Sequence, residues 1–283
     1  MKKNLNLLLI ITALFLGNNL FAQKPNPKFY IYLCLGQSNM EGNAKFEPQD
    51  TISVDKRFQV LEAVNCDNLK RKKGQWYTAV PPLSRCTTGL TPADYFGREM
   101  IANLPKNVKV GVINVAVGGC KIELFDKDNY ESYVSTAPDW LKNTVSQYDG
   151  NPYARLVEMA KIAQKDGVIK GILLHQGESN TGDVHWPEKV KLVYDNLLKD
   201  LNLKAESTPL LAGEVVNADQ GGVCASMNTI IATLPKTISN SYVISSSGCP
   251  DVADNLHFSA EGYRILGKRY AAKMLEIMKV KNK

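Results

Sequence analysis

Only three histidines occur in the 283 residues, at 175, 185 and 257, and His257 stands three positions after Asp254. A carboxylate at that spacing in a short loop reaches the imidazole Nδ1, fixes the tautomer and stabilises the cation. A histidine so held can take a proton from a nucleophilic hydroxyl. The hydroxyl in question is that of Ser38, which follows the apolar run 29–35 and Gly36-Gln37. Acyl transfer through a serine also needs donors aimed at the developing oxyanion. The N–H of Ser38 at a helix start supplies one, the N–H of Gly119 a second and the side-chain amide of Gln176 a third, with glycine allowing close backbone approach.

Each of these features has a plainer reading when taken alone. Gly118-Gly119 reads as a turn, Gln176 as a polar strand end, and Asp254-x-x-His257 as the loop before a helix. His175 closes an apolar run and reads equally as a structural histidine bonded to backbone; His185, before Trp186-Pro187, is either solvated or in contact with substrate. Glu178, two residues past Gln176, is either an alternative partner for His257 or a brace for Gln176 and the neighbouring loops. Gln37, Asn39, Asn180 and Arg85 are further cleft candidates, Arg85 reading equally as a solvated loop charge.

What gathers these residues is the pattern of elements around them. Apolar runs of strand length recur at 29–35, 108–117, 168–174, 210–216 and 242–245, separated by helical periodicities. Pro152 opens a predicted helix through Ala163 that Gly167 closes, Pro187 stands in the first turn of another over 190–201, and Ser259 N-caps the last. Near-continuous apolar strands alternating with helices predict a three-layer α/β/α sandwich around a parallel sheet of about five strands. In such sheets ligands bind beyond the carboxyl ends of the strands, which is where Ser38, Gly119 and Gln176 fall. Two stretches break the rhythm. Residues 45–91 read as a long excursion carrying a small hairpin or a disulfide. Residues 124–150 hold Phe125, Tyr130, Tyr133 and Trp140 and read as a cleft wall.

Residues 1–22 have a different character. Lys2 and Lys3 precede the apolar run 7–16, and Phe21-Ala22 closes the stretch, the pattern of a secretory signal peptide cleaved near Ala22. The expectation is a chain exported to the periplasm or beyond, with 23–283 as one domain and no membrane span, since the apolar run falls short of the roughly 20 residues a span needs. Loss of Lys2 and Lys3 takes the formal charge from +6 to +4 with no long basic run, which argues against a nucleic-acid partner. The six cysteines (34, 66, 86, 120, 224, 249) meet an oxidising compartment, their pairing unreadable from sequence; Cys34, inside an apolar strand, reads as a buried free thiol. No cysteines or histidines show zinc-site spacing, so no metal is expected.

In chain order, "GQSNMEG", "NVAVGG", "LLHQGESN" and "DNLHFSAEGY" resemble the SGNH hydrolase superfamily, and within it the sialate O-acetylesterase and acetylxylan esterase group, carbohydrate esterase family six. The likeness runs from Gly36 to the last helix. It implies a flavodoxin-like fold, no cofactor, and removal of acetyl groups from an acetylated oligo- or polysaccharide. It also implies Ser38 as nucleophile, His257 as base, Asp254 as its orienting acid, and Ser38 N–H, Gly119 N–H and Gln176 as oxyanion donors. Gln176 and Gln37 replace the Asn and Asp usual in the wider superfamily, in keeping with the carbohydrate esterase branch. Met40 stands where the Gly-x-Ser-x-Gly elbow of α/β-hydrolases has its second glycine, which sets that fold aside. Another acetylated glycan, a short-chain ester, or a non-catalytic carbohydrate-binding relative are the alternatives.

Overall fold

The computed structural model describes residues 24–279; the expected leader at 1–22 lies outside the described residues. All five predicted strands are present: β1 (Phe29–Gly36), β4 (Lys109–Ala116), β5 (Val168–His175), β6 (Leu210–Gly213) and β7 (Ser241–Ile244). The sheet has seven strands, however, because the 45–91 excursion contributes β2 (Phe58–Leu61) and β3 (Trp76–Thr78). The order is β3-β2-β4-β1-β5-β6-β7, parallel throughout except for β3, which runs antiparallel to β2. The excursion also carries a disulfide, Cys66–Cys86, with Cα atoms 5.2 Å apart.

The alternation of side chains along β1 builds both cores. Ile31, Leu33 and Leu35 point to one face, where they join Ile113, Val115, Ile172 and Leu174 under the helices Pro152–Ala163 and Trp186–Asp200. Tyr32 and Cys34 point to the other, packing with Val110, Val112 and Leu211 under the helices Pro92–Asn103 and Ala260–Ile277. Full burial of each large aliphatic or aromatic side chain contributes about 1.5–3 kcal/mol, and β1 is covered on both faces. The two helices of the second face approach backbone to backbone at Gly267, where a Cβ would lie 2.4 Å from the Pro92 carbonyl oxygen. As predicted, Ser259 caps the last helix, its Oγ accepting from Gly262 N–H at 3.2 Å.

Strands visited before β4 is completed lie on one side of β1, and β5 to β7 lie on the other. The carboxyl end of β1 is therefore the point where the connection direction reverses, and a crevice forms there. Gly36 ends β1 at φ +150° beside β5, and a Cβ on it would sit 2.0 Å from the His175 carbonyl oxygen. No other residue fits, so Gly36→Ala forces β1 and β5 apart directly beneath Ser38.

Candidate active site

From Gly36 the chain turns into a single helical turn, Ser38–Glu41, closed by Gly42 N–H donating to the Ser38 carbonyl at 3.0 Å. Ser38 Oγ lies 2.8 Å from His257 Nε2, and His257 Nδ1 lies 2.7 Å from Asp254 Oδ2. The other oxygen, Asp254 Oδ1, accepts the backbone N–H groups of Leu256 and His257, both at 2.9 Å, so the loop holds the carboxylate in one orientation. Burial works against the Asp254 charge, but the hydrogen bonds from the His257 ring and the two backbone N–H groups prevail and hold the carboxyl below its ordinary range. Ser38 and His257 open on a cleft of about 550 Å³ lined also by Gly118, Gly119 and Trp140.

The backbone N–H groups of Ser38 and Gly119 have no acceptor among the described residues, and both residues line the cleft. Gly119 adopts φ +69°, and a Cβ there would meet the Trp140 ring at 2.6 Å, so glycine is required on both counts. The preceding N–H, of Gly118, donates to Glu41 Oε1 at 3.1 Å. Glu41 is in turn held by Arg85 Nη2 at 2.5 Å, and Arg85 Nη1 donates to Gln147 at 3.2 Å. Glu41 was not among the residues singled out from sequence. Its one signal is position, three residues after Ser38 on the same helical turn.

Several sequence candidates have other places. Gln176 is buried and its amide is spent: Nε2 donates to Asn180 Oδ1 (2.7 Å), Gln37 Oε1 (3.2 Å) and the Cys120 carbonyl (3.3 Å), while Oε1 accepts from Trp186 Nε1. It braces the loops after β4 and β5 and is not in the cleft lining, which corrects its expected place as an oxyanion donor. Asn39, fully buried, donates to Glu178 and the Leu256 carbonyl and accepts from Tyr263 Oη, so it ties the Ser38 turn to the His257 loop without facing the cleft. Asn180 accepts from Ile122 N–H and donates to Glu123 and Asp183 below the site. Arg85 is a braced residue beside the cleft, as above. Gln37 does reach the wall, with its Oε1 accepting Ser179 N–H at 3.2 Å.

Glu178 lines the cleft floor, 7% exposed, with Oε1 taking Asn39 Nδ2 at 2.5 Å and Oε2 without a partner. Burial raises its carboxyl above the usual range. His175 is the structural histidine: fully buried, pushed down to about 3 by burial, with Nδ1 3.3 Å from Tyr270 Oη. His185 is exposed at the start of its helix. Of the aromatics singled out in 124–150, Trp140 lines the cleft and Phe125 is buried in the core, as is Tyr148. Among the described residues no helix is long and apolar enough to cross a membrane, and no cluster of three or more His, Cys, Asp and Glu side chains is arranged to hold a metal.

Residues 28–276 match the carbohydrate esterase family described as sialic acid-specific acetylesterases. The chain belongs to this family. It is accordingly a carboxylic ester hydrolase of the carbohydrate esterase kind. Among relatives, a probable carbohydrate esterase of Arabidopsis thaliana is 27% identical over 258 residues, covering 87% of this chain and 90% of its own. The Arabidopsis crystal structure aligns with a TM-score of 0.67 at 23% identity over 89% of this chain and 99% of that one. The structure of NanS aligns at 0.64 with 16% identity, over 90% and 99% of the two chains. A carbohydrate acetylesterase from Xanthomonas citri aligns at 0.61 with 17% identity, over 89% of this chain and 57% of that one. These three structures share the overall fold described above.

Proposed function

We propose that the protein removes O-acetyl groups from a carbohydrate of acetylxylan or O-acetyl sialate type, through an acetyl-Ser38 intermediate. The observation that carries this reading is the ordered chain from Ser38 Oγ to His257 to Asp254 in an open cleft. Ser38 Oγ attacks the acetyl carbonyl carbon while its proton passes to His257 Nε2, and the carbonyl oxygen becomes an oxyanion facing the N–H groups of Ser38 and Gly119. Collapse breaks the bond to the sugar oxygen, which takes the proton from Nε2. A water, deprotonated by the same nitrogen, then attacks the acetyl group and releases acetate and free Ser38. Asp254 is the acid that orients His257 in this scheme; Glu178, committed to Asn39, supports the site from below.

The chain is read as a single esterase domain exported after removal of 1–22. The Cys66–Cys86 bridge supports that reading, since such bonds persist in oxidising compartments. Ser38→Ala is expected to abolish acetate release from acetylated xylan, O-acetyl sialic acid and p-nitrophenyl acetate while the protein stays folded. Labelling of the wild type by a fluorophosphonate at Ser38 completes the test. Activity retained in Ser38→Ala, or no labelling of folded protein, removes the serine mechanism, and the second result favours a carbohydrate-binding relative.

A further inference from the structure

The cleft continues past the nucleophile. Glu41 and Asn43 line the hollow that holds Ser38 and also a second one of about 520 Å³, shaped by residues 42–46 and 85–89. The floor of this second hollow is fixed by backbone pairing. Gly89 N–H donates to the Gly42 carbonyl and Leu90 N–H to the Ala44 carbonyl, both at 2.7 Å, and Gly89 lies so close that a Cβ would be 2.0 Å from the Ala44 oxygen. Its rim carries the Phe46 ring, 39% exposed, with the exposed Lys45 and Thr87 side chains beside it. Seven large apolar side chains are exposed among the described residues, and three of them, Phe46, Trp140 and Val223, line these two contiguous hollows. An aromatic face in a shallow polar rim suits a pyranose, which offers a C–H face ringed by hydroxyls.

We propose that the second hollow is a subsite for the sugar unit adjoining the acetylated one, with Phe46 as its stacking platform, so that the enzyme prefers acetylated oligosaccharides to acetylated monosaccharides. The inference rests on the esterase reading above and names the length of its substrate. One acetylated sugar occupies the hollow at Ser38 against Trp140. The glycosidic link passes over Glu41 and Asn43, whose positions are set by Arg85 and by the turn closed at Gly42.

The test compares kcat/KM of the wild type, Phe46→Ala and Phe46→Trp on two length series: acetylated xylose against acetylated xylotriose, and O-acetyl sialic acid against O-acetyl sialyllactose. In whichever series turns over, the wild type is expected to favour the longer substrate by roughly three- to tenfold, mostly through KM. That ratio should fall to near one in Phe46→Ala and recover in Phe46→Trp, with melting temperatures confirming that both variants are folded. A wild-type ratio near one, a ratio that survives in Phe46→Ala, or hydrolysis of p-nitrophenyl acetate without turnover of either series overturns the subsite. Failure of the folded wild type to hydrolyse any of these esters, p-nitrophenyl acetate included, overturns the esterase reading instead.

Discussion

Replacing Asp254 by Asn should harm turnover more than replacing it by Ala, and the reason lies in how the loop holds the carboxylate. Oδ1 is fixed by the N–H groups of Leu256 and His257, both donors, so in Asp254→Asn the amide oxygen takes that place. The amide NH₂ then falls where Oδ2 was, 2.7 Å from His257 Nδ1. Two donors cannot face each other, so Nδ1 must become the acceptor and the ring proton moves to Nε2. Nε2–H then donates to Ser38 Oγ and cannot remove its proton. For a buried triad this tautomer error costs about 10⁴ in kcat. The Asp254 side chain is 46% exposed, so water offsets part of the electrostatic loss. The tautomer block remains, and a loss of about 10³ in kcat is expected for Asn, roughly 4 kcal/mol of transition-state stabilisation. In Asp254→Ala the ring keeps access to both tautomers beside water, and the loss should be about tenfold smaller. The assay is steady-state hydrolysis of p-nitrophenyl acetate by both variants, with circular dichroism to confirm the fold. Near-wild-type activity in Asp254→Asn, or a milder defect for Asn than for Ala, would refute the assignment and point to Glu178 as the acid that holds His257.

Glu41→Ala removes the acceptor of Gly118 N–H and leaves Arg85 without its carboxylate, so the turn that presents Gly119 N–H should loosen. One oxyanion donor is worth about 10²–10³ in kcat, and its misplacement should cost about tenfold in kcat with little change in KM. Glu41→Gln keeps an oxygen for Gly118 and should recover most of the loss; a change confined to KM would count against a positioning role. His175, held neutral by burial to about pH 3, gives a stability term of definite sign. The unfolded histidine binds its proton near pH 6.5, so the contribution is complete above that pH and is lost as pH falls from about 6.5 toward 3. Denaturant melts should therefore show the wild type losing up to about 2 kcal/mol more than His175→Leu between pH 6.5 and 5. Equal losses in the two proteins would show that His175 does not govern this range.

Legibility from sequence followed how narrowly chemistry restricts a residue type. Ser38, His257 and Asp254, which the structure places in one hydrogen-bonded chain, could be named because few side chains suit the roles of nucleophile, base and orienting acid. The five core strands showed as near-continuous apolar runs. β2 and β3 did not: they are four and three residues long, β3 is only half-buried, and charged residues surround them, so the alternation is too brief to detect. The amides misled for a related reason. Gln176, Asn39 and Asn180 look the same in a sequence whether they meet a substrate or tie loops together, and here buried partners claim them. Glu41 escaped notice because its use depends on Gly118, 77 positions away.

The distance in sequence between Ser38 and His257, 219 positions, has a consequence for the life of the chain. Ser38 is synthesised long before His257, which stands in the loop leading to the helix Ala260–Ile277 that packs on Pro92–Asn103. A chain that stops or is clipped before His257 therefore lacks the imidazole that faces the Ser38 hydroxyl. On the proposed mechanism, ester cleavage therefore reports only molecules that extend through the His257 loop, whatever else a preparation contains.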